Sequence, residues 1–416
     1  MRGKIKNIWI FNHYAITPNL PGGTRHFDFA KELTKRGYEV VIFASSFRHN
    51  LYEEAKDYGK EIYIEEDFDG VKFVWIKTTP YRRNDWRRIV NMLSYSVRVY
   101  DIARKFTIEK PDIIIGSSVH LFAAFSAYLL AKCFKVPFIM EVRDLWPLTL
   151  IDMGVPRWNP FVIVLGIFER FLYKKAKRII TLLPKASDYI TSLGVSEDKI
   201  VWIPNGVDLE RFRLMGEERK YSRQGFTVLY MGAIGAINNL DIALEVAEIL
   251  QRDYPNIKFL FVGDGPEKPR LAKIVEDRKL DNVEFRNPVP KADVAKTISK
   301  ADVLLLVLKD LRLCKYGISS NKLFDYLASG KPIIFSSSAI NNPVEEANAG
   351  ITVPPDGPVE LAKATVKLYE MPEEERRKLG ENGRKYVEKY HSIPHLVDKL
   401  ERVINKVVND ELNSTL

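Results

Sequence analysis

The residues best suited to chemistry stand where short apolar runs end. In the second half of the chain Thr227–Met231 is followed by Gly232-Ala233-Ile234-Gly235, and Lys258–Val262 by Gly263-Asp264-Gly265-Pro266. Glycine turns between a strand and a helix let backbone N–H groups approach a ligand, and the helix start offers its positive end to an anion. The Gly-x-x-Gly spacing fits a phosphate-binding strand–turn–helix and departs from the dinucleotide Gly-x-Gly-x-x-Gly. Two such turns at adjacent strand ends point to a ligand above that edge of a sheet.

The first half has its own candidates. Asn12-His13-Tyr14 ends the first apolar run, and Pro21-Gly22-Gly23-Thr24 precedes a helix carrying Phe27, Phe29, Ala30 and Leu33. The paired glycines read either as a second ligand loop or as an ordinary tight turn. Glu141-Val142-Arg143-Asp144-Leu145-Trp146-Pro147 lies at a strand's C-terminal end, where α/β sites gather, so Arg143 and Asp144 are candidates for catalysis. A short acid there also serves as a cap. Lys322, in Ser319-Ser320-Asn321-Lys322-Leu323-Phe324-Asp325, reads in isolation as a solvated helix residue.

The elements that must position these groups are legible as periodicity. Runs at Asn7–Phe11, Glu39–Ala44, Val71–Ile76, Asp112–Ile115, Pro137–Glu141 and Arg178–Leu183 are apolar at consecutive positions, as in a sheet covered on both faces. The pattern restarts after Pro204-Asn205-Gly206, with Thr227–Met231, Lys258–Val262, Val283–Phe285, Asp302–Leu308, Pro332–Phe335 and Ile351–Val353. Two α/β units in tandem follow, as 416 residues with 46% hydrophobic content lead one to expect. The boundary is expected near the Pro-Asn-Gly turn and the polar stretch Met215 to Gly225. The last helix carries Leu396, Val397, Leu400, Val403, Ile404 and Val407 at helical spacing and must pack on something.

Taken together, these motifs are similar to those of glycosyltransferase family 4, the group 1 transferases. The resemblance rests on Gly317 to Ile334, where a serine-rich turn and a Lys-Leu-Phe-Asp-Tyr helix precede Ala328-Ser329-Gly330-Lys331-Pro332. It rests also on the order of Gly22-Gly23, Pro204-Asn205-Gly206-Val207-Asp208, Tyr230-x-Gly232-x-x-Gly235, Gly263-x-Gly265 and Gly380-x-Asn382-Gly383-Arg384. Arg143-Asp144-Leu145-Trp146-Pro147 resembles a branch whose members build bacterial surface polysaccharides.

The resemblance implies a GT-B fold, two Rossmann-like domains facing across a cleft. It divides the chain into an acceptor-binding domain at 1–205, a nucleotide-sugar-binding domain at 206–385 and a C-terminal helix at 386–416 that packs back on the first. It implies a retaining, metal-independent hexosyl or N-acetylhexosaminyl transfer from a nucleoside-diphosphate sugar, UDP-linked, with no cofactor. The acceptor is a glycan or a polyprenyl-linked one. Domain closure assembles the site and excludes water.

By the same resemblance the donor site comprises Gly232, Gly235, Gly263, Arg312, Lys315, Ser319, Ser320, Asn321, Lys322, Leu323 and Asp325. Gly22, Gly23 and His120 lie on the acceptor side, and Asp144, Arg143 and Lys322 act in catalysis. Lys322, with Arg312 and Lys315 behind it, meets the charge of the diphosphate leaving group. Two positions depart from the family: Gly317 replaces the first acid of its Glu-x7-Glu pair, and Arg143 stands where many members have histidine. Glu345 and Glu346 are substitutes for the missing acid, and Asp325 is an acceptor for ribose hydroxyls.

Other classes fit less well. A nicotinamide oxidoreductase would need Gly-x-Gly-x-x-Gly after an opening strand. The formal charge of +9 suits a nucleotide- or nucleic-acid-binding protein, yet no nucleic-acid module or arginine-rich tail accompanies it. Asp67-Phe68-Asp69-Gly70 reads as a hairpin turn before a metal motif, and Pro394 interrupts His391 and His395. Two distant cysteines, Cys133 and Cys314, and an opening apolar run that stops at Asn12-His13 lead to a cytoplasmic expectation. Residues 81–110 read as a basic amphipathic helix, either a solvated face or a contact with an anionic membrane at the inner face. Arg170, Lys174, Lys175, Lys177 and Arg178 extend the same surface.

Overall fold

Runs of β-branched and aromatic residues form strands because both faces of each run can be buried. The computed structural model describes residues 6–49, 51–83, 85–106, 110–118, 120–216 and 225–414. Most of the polar stretch Met215 to Gly225, and residues 84 and 107–109 of the basic stretch, lie outside them. The chain separates into two units: Met1–Thr17, Gly23–Pro204 and Ile393–Leu416 in one, Pro18–Gly22 and Asn205–Ser392 in the other.

The first unit contains β1 (Asn7–Phe11), α1 (Arg25–Lys35), β2 (Glu39–Ala44), β3 (Phe47–Arg48), β4 (Glu53–Glu54), β5 (Tyr63–Phe68) and β6 (Val71–Ile76). It continues with α2 (Trp86–Lys105), β7 (Ile113–Ser117), α3 (Leu121–Phe134), β8 (Phe138–Val142), α4 (Leu148–Asp152), α5 (Pro160–Lys175), β9 (Arg178–Thr181), α6 (Ala186–Ser192) and β10 (Ile200–Trp202). Eight strands form one sheet, ordered β10-β9-β8-β7-β1-β2-β6-β5. All neighbours run parallel except β5 and β6, which the Asp69-Gly70 turn joins as a hairpin.

Side chains alternate across this sheet. Ile8, Ile10, Val40, Ile42, Ile113 and Ile115 meet Phe27, Ala30 and Leu33 of α1. The same core takes in the apolar stripe of the chain's last helix, Leu396 to Val407. On the opposite face Trp9 meets Phe134 of α3, and Phe138 meets Tyr128. Helix α3 lies between α2 and α5: Ser126 Oγ donates to Ser96 O, and Phe125 meets Phe168 and Phe171. The outer side of α2 leaves Trp86, Val90, Leu93 and Val97 exposed; α5 does the same with Ile163, Val164, Ile167 and Phe171.

The second unit contains β11 (Phe226–Met231), α7 (Leu240–Gln251), β12 (Ile257–Val262), α8 (Lys268–Asp277), β13 (Val283–Arg286), α9 (Val294–Ile298), β14 (Val303–Val307) and α10 (Asn321–Ser329). It ends with β15 (Ile333–Ser336), α11 (Pro343–Glu346), β16 (Gly350–Val353), α12 (Pro358–Glu370) and α13 (Glu373–Tyr390); α14 (Ile393–Ser414) follows in the first unit. Its six strands are ordered β13-β12-β11-β14-β15-β16, all parallel.

The unit boundaries differ from divisions at 205/206 and 385/386. Residues 386–392 stay with the second unit because Val207 N donates to His391 O at 2.9 Å and His391 stacks on Phe324. Pro18–Gly22 joins that unit too, since Lys291 N and Ala292 N donate to Leu20 O and Pro18 O.

Candidate active site

In the second unit the glycine turns are forced by backbone crowding. A Cβ on Gly263 would stand 1.9 Å from Gly232 O, and one on Gly265 2.3 Å from Ile234 O. Gly232 also has φ +149°, a conformation L side chains rarely adopt. Gly235 is different: the nearest atom to an added Cβ is Asn238 Nδ2 at 3.8 Å.

Into this turn α10 projects a cation. Lys322 Nζ donates to Tyr230 OH at 2.6 Å and Asn238 Oδ1 at 2.9 Å, and lies 4.4 Å above the Tyr230 ring. Its Cε and Nζ lie 2.9 Å from where a Cβ on Gly232 would sit. The β11–α7 turn, Gly232 to Asn239, has no basic residue of its own, so α10 supplies the charge. Desolvation draws the Lys322 ammonium down to about 7. One helical turn on, Asp325 is buried with its Oδ2 2.5 Å from Lys291 Nζ. Its Oδ1 is buried without a hydrogen-bond partner among the described residues and retains capacity for a ligand hydroxyl.

In the first unit β8 ends in a buried charge network. Glu141 accepts from Arg25 Nε at 2.7 Å, His26 Nε2 at 2.6 Å and Ser117 Oγ at 2.8 Å. Burial alone would raise its carboxyl, but the charges of Arg25 and His26 hold it well below the usual range. Arg25 also donates to Ile203 O at 3.0 Å and Pro204 O at 2.5 Å, tying the start of α1 to the chain's exit from this unit. Beyond the network Asp144 keeps exposed surface. The protein around it desolvates and raises its carboxyl, while the Arg143 charge acts in the opposite sense.

Comparison with known proteins matches the Glycosyltransferase Family 4 model over residues 22–211 and the Glycosyl transferases group 1 model over residues 225–371. The chain belongs to the family 4, group 1 glycosyltransferases. The transferase is 24% identical over 338 residues to WcaI of Escherichia coli (strain K12), provisionally described as a colanic acid biosynthesis glycosyl transferase; the match covers 78% of this chain and 81% of that one. Among solved structures, sucrose-phosphate synthase from Thermosynechococcus elongatus superposes with a TM-score of 0.76 at 17% identity, over 97% of this chain and 100% of that one. Anabaena HepE in complex with UDP and glucose gives 0.69 at 12%, over 97% and 100%. The fold of the transferase is GT-B.

The remaining expected site residues have varied places in the transferase. Ser319 Oγ accepts from Asn205 N at 2.8 Å, Ser320 stands at the N-cap position of α10 without a side-chain cap bond, Asn321 opens the helix and Leu323 is buried. Arg312 and Lys315 lie exposed on a 3-10 turn, Lys315 above Tyr316. Gly22 belongs to the second unit while Gly23 belongs to the first, so the expected acceptor-side pair is split. His120, expected on the acceptor side, is buried as the N-cap of α3, its Nδ1 accepting from Ala123 N and its Nε2 facing His13 Nδ1 at 2.7 Å. Burial, with the nearby Arg88 charge, lowers it to about 3.

Glu345 and Glu346, expected as substitutes for the missing acid, lie exposed at the end of α11, where Glu346 accepts from Tyr386 OH and Glu345 from Asn342. At Gly317 the backbone has φ +99° and ψ −174°, a region essentially reserved for glycine, which explains why no acid stands there. The sequence reading missed Lys291, Tyr230 OH and the Arg25–Glu141–His26 network. A lysine in a Pro-Lys-Ala stretch carries no motif, and a phenol one strand away from its lysine shows no spacing signal.

Proposed function

We propose that the transferase moves a sugar from a nucleoside-diphosphate sugar, UDP-linked, to a glycan or lipid-linked acceptor in surface-polysaccharide assembly. The observation that carries this reading is Lys322 lying against Gly232, with the buried Asp325 Oδ1, which has no partner among the described residues, one turn along the same helix. A diphosphate at the Gly232 turn meets a cation and the start of α10, and a ribose near Asp325 finds an acceptor for its hydroxyls. Stabilisation of the departing diphosphate then comes from the protein's own positive groups, which supports transfer without a metal. The relative named for colanic acid and the neighbour that holds UDP and glucose support the polymer and the base.

Family membership supports retention of anomeric configuration. Arg143 and exposed Asp144 act on the acceptor side, Asp144 with a raised carboxyl suited to proton exchange. Whether the sugar is hexosyl or N-acetylhexosaminyl depends on pocket contacts to the donor. Free Cys133 and Cys314 support a reducing cytoplasm as the place of reaction. Screening uridine, guanosine and thymidine diphosphate sugars by thermal shift, then determining the product anomer by NMR with EDTA present, tests the reading. A UDP-sugar should stabilise the chain and yield the donor's own anomer. Inversion, loss of turnover in EDTA, or stabilisation by another nucleotide alone would each overturn the corresponding part.

A further inference from the structure

We infer that the α2–α3–α5 face of the first unit is a docking surface for an anionic lipid bilayer, with α5 as the inserting element. The inference stands on this surface and is independent of which sugar is transferred.

From Trp158 to Phe168 the chain carries no charged residue, yet much of that segment faces outward. Trp158 is 77% exposed and Ile167 63%. On α2, across α3, Trp86 is 66% exposed and Val97 64%. Apolar side chains at these positions leave water only if something covers them, and clustered apolar exposure on a folded surface marks an interaction site. No helix of the described residues is long and apolar enough to cross a membrane.

The charges around the stripes name the occupant. Exposed Arg82, Arg83 and Arg87 flank the start of α2, and exposed Arg157, Arg170 and Lys174 border α5. Arg87 lies 5.6 Å above Trp86 and Lys175 5.8 Å above Phe171, so each cationic head stands beside an aromatic ring. That is the arrangement an interfacial helix uses, rings at the headgroup level and cations reaching lipid phosphates. A second copy of the chain would bring two basic rims together, which like-charge repulsion disfavours.

Flotation of the purified chain with vesicles of phosphatidylglycerol and phosphatidylcholine, and with phosphatidylcholine alone, tests this. The chain should float with the anionic vesicles at low salt. Ile167→Glu, at an exposed site with thermal stability as the folding control, should cut the floated fraction at least tenfold. Arg83→Glu with Arg87→Glu should remove the preference for anionic lipid. If the wild type stays at the bottom of the gradient with anionic vesicles, or if Ile167→Glu floats equally well, the inference is overturned. It is overturned too if light scattering shows a dimer that Ile167→Glu dissociates, because the face then belongs to a second copy.

Discussion

The ammonium of Lys322 lies 2.6 Å from the hydroxyl of Tyr230. Among the described residues its hydrogen-bond acceptors, that phenol and Asn238, are neutral, so burial of the charge without a carboxylate partner draws it down to about 7. A bound diphosphate restores the charged form and raises that value. Nucleoside-diphosphate affinity is therefore expected to be flat below pH 7 and to fall by up to about tenfold per unit above it. Calorimetry at pH 8 in buffers of differing ionisation heat should show proton uptake. Lys322→Met should abolish the pH dependence and weaken binding by roughly 10–100-fold. Constant wild-type affinity from pH 7 to 9 would sink the idea.

Lys291 and Asp325 form a buried ion pair. Removing one partner leaves the other charge uncompensated, at a cost of roughly 3–5 kcal/mol. Lys291→Met should lower the urea midpoint accordingly, and adding Asp325→Leu should recover most of the loss. A single variant as stable as the wild type would show that the pair contributes nothing.

The two glycines of the β11 and β12 turns that differ most in surroundings should differ most in tolerance. Gly235→Ala has open space and should bind UDP within about twofold of the wild type. Gly263→Ala forces a Cβ to 1.9 Å from Gly232 O and should displace the turn, reducing binding at least tenfold. Equal binding by both variants would refute the crowding account.

Glu169 offers a stability test. It is buried between Tyr173 and Tyr189, whose hydroxyls donate to it at 3.1 and 3.0 Å, and desolvation raises its carboxyl to about 7. The folded state holds this proton more tightly than the unfolded chain, so the stability it confers is full below about pH 4.5 and is lost as pH rises through 7. Glu169→Gln should raise Tm relative to the wild type at pH 8 and leave it little changed at pH 4. An equal shift at both values would mean that packing, not ionisation, decides.

Much of the architecture was legible because parallel strands buried on both faces leave continuous apolar runs, as at Asn7–Phe11 and Val303–Val307. Strand β5 escaped because Tyr63 to Phe68 is a half-exposed, acid-bearing edge strand; only its Asp-Gly turn gave a signal. In the site, glycine turns and the helix of Lys322 and Asp325 were visible as motifs. The Lys291 partner, 34 residues from Asp325, was not, and neither was the place of His120, expected on the acceptor-side loop, as the N-cap of α3. The transfer of Pro18–Gly22 to the second unit depends on backbone pairing, which side-chain identity does not encode.

Helix α14 supplies one wall of the first unit's core, yet it is made only after the whole of the second unit. A ribosome adding about 5–20 residues per second leaves an interval of roughly 10–40 s between Pro204 and Ser414. Through that interval the sheet face of Ile8, Ile42 and Ile115 has no covering from Leu396 to Val407. A chain cut after Ser392 is expected to keep that face bare and to bind an apolar dye or a holdase chaperone. Completion of the first-made half therefore waits on residues that follow the whole second unit, and termination after Ser392 yields a sticky fragment instead of a shortened enzyme.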